Sequence, residues 1–220
     1  MNTLKAAQAI AGSIGFPSKM PGTAYGISAK ACITGGKLAL IPGSVCHGCY
    51  ALKANYLYPS VAQAHETRLQ GLDNPAWVNA MVMMLNHAHA TGKGRNGTII
   101  ARGWHRWHDS GDLQSVAHLE KICEVARRTP HIKHWLPTRE LGIVKAYEKA
   151  GGIVPKNLVI RVSATMVDGA PTAAWSTTST VHHNKRHKGR ACVAPKQEGK
   201  CGDCRACWNP RIKNVSYHLH

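Results

Sequence analysis

An alternation of strand and helix patterns constrains the fold of this chain more than any other feature. Residues 98–107 predict a strand that ends in a polar turn, and apolar residues from Leu113 to Ala126 recur at helical spacing. Further along the chain the pattern predicts a strand over 131–136 closed by Pro137, a helix over 139–150 stopped by Gly151 and Gly152, and strands over 158–163 and 179–182. Because 220 residues fall short of the roughly 250 of a complete barrel, we predict an α/β fold with a partial (β/α) barrel.

The first half of the chain adds a helix that begins near Pro75 and Trp77. Its stripe of Met81 and Met84 is typical of core packing, as are the tryptophans in or beside the strands. We expect one domain over residues 1–220, with a cysteine-rich N-terminal loop at 32–50, a βα core at 75–182 and a cysteine-rich C-terminal loop at 192–208.

The N-terminal stretch has one lysine and only mild apolar character. It lacks the leucine-rich segment and small-residue cleavage site of a signal peptide, so we expect a helix or arm of the mature protein and a cytoplasmic location. No apolar run approaches the roughly 20 residues of a membrane helix, so no membrane partner is expected.

The charge of the chain is strongly basic. Lysine and arginine outnumber aspartate and glutamate by 28 to 11, a formal charge of +17, which favours contact with nucleic acid or another polyanion. The densest basic run spans residues 182–190. Its composition favours a solvated loop beside a cysteine site, with phosphate contacts as the alternative and its histidines as further candidate ligands.

Polar residues follow the predicted strands. The strand ends carry His108, Asp109 and Asp112, then Thr138 and Arg139, then Ser163 and Thr165. In parallel βα folds these ends share one mouth, where ligands bind. His108, Asp109 and Arg139 are therefore candidate catalytic residues, His105 is a further candidate ligand or acid–base group, and Asp112 is expected to cap the next helix. Helix capping for Asp109 and surface pairing for Arg139 stay open as alternatives.

The eight cysteines have the spacing of metal ligands rather than of a disulfide scaffold. Cys46 and Cys49 form a C-x2-C pair whose tight turn Gly48 permits. Cys32, separated from Cys46 by thirteen residues, is the predicted third ligand.

The C-terminal group is the more specific one. Cys201, Cys204 and Cys207 form C-x2-C-x2-C, and eight residues separate Cys192 from Cys201. The spacing of the three resembles that of ferredoxin ligands and favours one or two 4Fe–4S clusters over zinc. Either the two groups hold separate clusters, the N-terminal one with an open iron, or members of both converge on one cluster. Cys123, on the apolar face of its helix, is predicted to be a core residue.

Several of these motifs together resemble one family. The segments Ser44–Lys53 with Tyr56 and Arg68, Arg106–Asp112, and Cys201–Trp208 are similar to signatures of the phage "gene product eighty-eight" domain family, over roughly residues 25 to 210. The resemblance implies a phage origin, expression in the infected bacterial host, and iron–sulfur binding, but no particular reaction.

A more distant similarity is to the radical S-adenosylmethionine enzymes, partial barrels with a three-cysteine 4Fe–4S cluster. Cys46–Tyr50 is similar to the end of their C-x3-C-x2-C loop. Here thirteen residues separate the first two cysteines, and no Gly-Gly-Glu strand end is present to hold the amino group of the cofactor. The similarity therefore implies the fold, with S-adenosylmethionine as an additional cofactor only if these departures are tolerated.

Three functions remain as hypotheses. The first is an iron–sulfur enzyme, or enzyme-derived protein, with redox or radical chemistry. The second is a non-catalytic iron–sulfur protein whose basic surface binds nucleic acid, and the third is a zinc-stabilised module.

Overall fold

Seven parallel strands form one sheet in the computed structural model, which describes residues 3–94, 97–186 and 188–219. The strands are β1 (Thr23–Tyr25), β2 (Trp104–Trp107), β3 (Lys133–Thr138), β4 (Leu158–Ser163), β5 (Thr178–His182), β6 (Arg190–Ala191) and β7 (Asn214–His218). Their order across the sheet is β1-β2-β3-β4-β5-β7-β6, and every pairing is parallel. The predicted α/β class is confirmed by this sheet and its helices.

The α-helices of the described residues are α1 (Leu4–Ala11), α2 (Ile33–Leu38), α3 (Pro59–Gly71), α4 (Trp77–Thr91), α5 (Val116–Arg128) and α6 (Leu141–Lys149). The predicted helices at 113–126 and 139–150 correspond to α5 and α6, and α1 forms where a helix or arm was expected. β4 has the bounds predicted for it, and β5 begins one residue before its predicted start. None of the helices described is both long and apolar enough to cross a membrane.

Two predicted strand bounds were wrong. Residues 98–103 are not part of β2, because Ile99 makes an isolated antiparallel bridge with Lys93 and Gly103 adopts φ +79° just before the strand begins. Pro137 does not close β3 but lies inside it, aligned with Arg161 of β4. The strand continues past the proline at the loss of one backbone donor.

Three strands, β1, β6 and β7, and the helices α2 and α3 were not predicted. β1 and β6 have three and two residues, too few for a period-two pattern to be visible. All three strands lie outside the residues 75–182 expected to form the βα core.

The two faces of the sheet are covered differently. Trp107, Leu136 and Ile160 point to one face and belong to the hydrophobic core with α1, α4, α5 and α6. Met81, Met84 and Cys123 are buried in this core, as predicted from the helical patterns. On the other face, Trp135 and Arg161 contact the C-terminal segment 206–212. The C-terminal cysteine loop therefore lies on the face opposite to the helices.

Candidate metal centres at the two cysteine groups

The N-terminal cysteine loop lies across the carboxyl ends of β2, β3 and β4. The backbone N–H of Val45 donates to the carbonyl of Thr165 at 2.9 Å, directly after β4. At the end of β2, the Tyr50 hydroxyl donates to the carbonyl of Asp109 at 2.6 Å. The sequence had placed polar strand ends at one mouth, and the structure brings the cysteine loop to that same mouth.

A buried carboxylate anchors the start of α2 to the end of β3. Both the backbone N–H and the hydroxyl of Thr34 donate to the carboxylate oxygens of Glu140, each at 2.8 Å. Glu140 is only 6% exposed, so this attachment is shielded from solvent. Because Cys32 lies two residues before Thr34, these hydrogen bonds to Glu140 also position the Cys32 thiol.

The three N-terminal thiols lie close together. A Cβ atom on Gly35 would lie 3.6 Å from the Sγ atoms of both Cys32 and Cys46, so these sulfurs are at most about 7 Å apart. Cys46 and Cys49 are joined by a turn in which the N–H of Cys49 donates to the carbonyl of Cys46 at 3.1 Å, and Gly48 adopts φ +79°. The turn predicted from Gly48 is therefore present.

Burial disfavours ionisation of these thiols when no metal is bound. It raises the pKa of Cys32 to about 12, with nearby Asp112 and the neighbouring Cys49 and Cys46 adding to the shift, while Arg139 opposes it. A metal centre would have to displace protons from these thiols, which couples binding to pH.

The prediction that Asp112 caps the following helix was wrong. Ser115 is the N-cap of α5, and its Oγ accepts from the N–H of His118 at 3.0 Å. Asp112 is buried and accepts from the Thr138 hydroxyl at 2.6 Å and from the N–H of Arg139 at 2.8 Å. It therefore ties the end of β2 to the end of β3, a contact between strands that the sequence does not display. Burial raises the pKa of Asp112 to about 6.

The C-terminal thiols form a second group. Cys192 follows β6, and its N–H donates to the carbonyl of Ser216 in β7 at 2.8 Å. Cys201 interacts electrostatically with Cys192 and Cys204, and Cys207 interacts with Cys192 and Cys201. All eight cysteines are free thiols. Burial raises the pKa of Cys207 to about 12, although a hydrogen bond with Tyr217 and nearby Arg161 lower it.

Arg161 holds the segment that carries Cys207. Its guanidinium donates five hydrogen bonds of 2.8–3.2 Å, to the carbonyls of Thr178, Ala206, Cys207, Asn209 and Ile212. The residue is fully buried in the middle of β4. A cation in an apolar strand is the signal by which this role could have been recognised from the sequence.

Buried donors without acceptors stand beside both groups. The Nε of Arg106 and the Nε1 of Trp135, on the same sheet face as the C-terminal loop, have no hydrogen-bond partner, and neither has the Nε of Arg139. Arg106 acts electrostatically on Cys201, and Arg139 acts on Cys32 and Cys46. Buried donors normally have partners. An anionic iron–sulfur centre held by thiolates would supply acceptors here, so the residues present fit such a group.

The described residues do not form a site with the geometry needed to bind a single metal ion. Within residues 3–94, 97–186 and 188–219, no group of three or more His, Cys, Asp or Glu side chains could hold a metal ion as it stands. The sulfurs of a tetrahedral zinc site lie about 3.8 Å apart, given a Zn–S distance of about 2.3 Å. The cysteines of a polynuclear cluster lie farther apart than that.

The candidate catalytic residues occupy different surroundings. His108 is buried with φ +57°, both its ring nitrogens lack partners, and its ring centroid lies 5.2 Å from that of His118. Burial, followed by His118 and Arg106, lowers the pKa of His108 well below 6.5, so the ring is neutral. Asp109 interacts with Arg68 and Arg106, and Arg139 faces the N-terminal thiols. His105 is also buried, with its Nδ1 2.8 Å from the Thr23 hydroxyl.

The basic run is held by one carboxylate. Asp168 accepts the backbone N–H groups of His183, Asn184 and Lys185 at 2.7–3.2 Å. The side chains of Lys185, Arg186 and Lys188 are exposed, and His187 lies outside the described residues.

The chain matches the gene product 88 family over residues 3–210, so it belongs to that family. The match covers nearly the whole chain and supports a bacteriophage origin. No curated protein and no solved structure matches the chain.

Four contributors to these sites were not singled out by sequence reasoning. They are Glu140, Arg161, Tyr217 and Arg106, of which Arg106 had been noted only as the first residue of a family motif. For Tyr217, the only sequence signal is the alternation Val215, Tyr217 in a five-residue strand.

Proposed function

We propose that this protein binds iron–sulfur clusters at two separate centres, on a partial (β/α) barrel related to that of the radical S-adenosylmethionine enzymes. One observation carries the proposal: seven cysteines gather into two groups, each beside a buried arginine donor that lacks an acceptor. The all-parallel strand order, with helices on one face and a cysteine loop on the other, supports the barrel.

In this proposal Cys32, Cys46 and Cys49 hold the first centre, and Cys192, Cys201, Cys204 and Cys207 hold the second. Three thiols would leave one iron of a four-iron cluster without a cysteine ligand, and the loop that carries them lies at the carboxyl ends of the strands, where ligands of parallel βα folds bind. When bound, such a cluster supplies one-electron chemistry.

The residues around the first centre have distinct roles in this proposal. Glu140 and Asp112 hold the loop and the strand ends in place through the hydrogen bonds above. Arg139 binds an anionic group or balances thiolate charge, and Asp109 is the candidate proton acceptor at the end of β2, whereas burial lowers the pKa of His108 so far that its neutral ring is a poor base. S-adenosylmethionine is a candidate ligand for the open iron, tested by its reductive cleavage on the reconstituted protein.

The test is anaerobic purification with iron and sulfide analysis, a visible spectrum and electron paramagnetic resonance. We expect two clusters in the wild type, loss of one in Cys46→Ser and loss of the other in Cys204→Ser, because each variant removes a ligand from one group only. Cys123→Ala, in the hydrophobic core, is the matched control and should keep the full iron content.

The result also separates the alternatives. A colourless protein with stoichiometric zinc would overturn the iron–sulfur proposal in favour of a zinc-stabilised module. Loss of all iron in either cysteine variant would instead mean that both groups share one cluster.

Nucleic-acid binding is a second candidate function. Lys185, Arg186 and Lys188 of the basic run are exposed, and Asp168 holds the backbone at residues 183–185. None of the four ion pairs among the described residues uses one of these three cations. Phosphates bound there would make retention salt-dependent. Retention on immobilised DNA and RNA, compared between wild type and a Lys185→Glu, Arg186→Glu, Lys188→Glu variant, tests this candidate.

A further inference from the structure

The two cysteine groups lie in opposite electrostatic surroundings. At the N-terminal group, the buried carboxylates of Asp112 and Glu140 act on Cys46 together with Arg139. At the C-terminal group, the charged side chains other than cysteines that act on Cys201 and Cys207 are all arginines: Arg205 and Arg106 act on Cys201, and Arg161 acts on Cys207. The second group is therefore the more electropositive.

A hydrogen bond adds to this difference. The Tyr217 hydroxyl lies 3.2 Å from the Sγ of Cys207 in a part-buried contact. A thiolate can only accept, so the tyrosine is the donor whenever Cys207 is ionised or bound to metal. Tyr217 is on β7 and Cys207 is held from the other side by Arg161, so both partners have fixed positions.

We infer that Tyr217, together with the guanidinium groups of Arg106 and Arg161, makes the C-terminal centre the more easily reduced of the two. The inference rests on the proposed function, since it requires a cluster at each group. Reduction adds a negative charge, which a hydrogen bond to a ligand sulfur and nearby cations stabilise and nearby carboxylates destabilise. Tyr217 is thus a positioning and tuning residue that itself ligates nothing.

The experiment measures the reduction potential of each centre. The anaerobically reconstituted protein is titrated with dithionite at measured potentials, and electron paramagnetic resonance follows the reduction of each centre. Each centre takes up one electron, dithionite is oxidised to sulfite as it supplies the electrons, and no bond of the protein or of its centres is made or broken. The step that Cys204→Ser abolishes and Cys46→Ser retains belongs to the C-terminal centre. We expect that step at the more positive potential, and a shift of that step alone to more negative potential in Tyr217→Phe.

Two further variants complete the test. Tyr147→Phe removes a tyrosine hydroxyl that donates to the Ile153 carbonyl, away from both cysteine groups, and should shift neither step. Arg106→Met removes a positive charge but leaves the Tyr217 hydroxyl in place. It should shift the potential of the C-terminal step in the same direction as Tyr217→Phe.

The outcomes are distinguishable. If iron and sulfide are bound at both centres but Tyr217→Phe leaves the C-terminal step unchanged, or if the N-terminal centre is reduced first, the inference is overturned and the proposed function stands. If no iron is bound, the proposed function fails and the inference fails with it.

Discussion

His134 is a fully buried histidine of β3 whose protonation state is fixed by its neighbours. The indole N–H of Trp107 donates to its Nδ1 at 3.2 Å, so the ring proton is on Nε2, which lies 2.9 Å from the Thr129 hydroxyl. Burial, with a smaller effect of His89, lowers the pKa of His134 to about 3. The folded state therefore holds the neutral ring at pH values where the unfolded chain binds a proton.

The sign of the pH effect follows from this lowered pKa. The stability contributed by neutral His134 is present above the unfolded pKa of about 6.5 and is lost as the pH falls below it. Replacing His134 by Gln keeps a donor and an acceptor but removes the titration. We expect the loss of unfolding free energy between pH 7.5 and 5.5 to be smaller in His134→Gln by about 1.4 kcal/mol, measured by urea denaturation of the metal-free protein. Exposed His87→Gln is the control for losing a histidine elsewhere, and an unchanged pH dependence in His134→Gln would contradict the account.

At the scale of elements, Arg161 connects β4 to the segment that follows the last cysteine motif. Four of its five hydrogen bonds go to carbonyl oxygens of residues 206–212 and hold them against the sheet face that carries Trp135. Trp208 adds a hydrogen bond from its indole N–H to the carbonyl of His105 at 2.8 Å. The C-terminal cysteines are thus positioned by a strand some forty residues earlier.

Removing the guanidinium should release this segment. We expect Arg161→Met to lower the free energy of unfolding by at least about 3 kcal/mol, because several buried carbonyls lose a charged donor at once. We also expect faster tryptic cleavage after Arg205 and Arg211, while exposed Arg128→Met serves as the control for losing an arginine elsewhere. Equal unfolding free energies and cleavage rates in the two variants would show that Arg161 does not hold the segment.

For the whole molecule, the formal charge of +17 favours retention on any polyanion, so retention alone identifies no site. The informative comparison is between two variants of equal charge. We expect reversal of Lys185, Arg186 and Lys188 to glutamate to lower retention on DNA or RNA, and the salt concentration needed for elution, more than reversal of Lys5, Lys149 and Lys156. Equal loss in both variants would assign binding to net charge rather than to the basic loop.

The sequence by itself determined the α/β class, the strand β4, the helices α5 and α6, and the core position of Cys123. These features depend on local periodicity, which repeats within a few residues and so is visible along the chain. Cysteine spacing likewise marked the seven candidate ligands, and the family motifs marked the family to which the chain belongs.

The tertiary structure decided how those pieces meet. Asp112 bridges two strand ends instead of capping a helix, Pro137 lies within β3, and short strands such as β1 exist only because neighbouring strands pair with them. The separation of the cysteines into two groups, and the surroundings of each, depend on contacts between residues up to about a hundred positions apart, such as Thr34 with Glu140. Hydrogen bonds and charges act through space, so the order of residues along the chain does not reveal them until the backbone has brought them together.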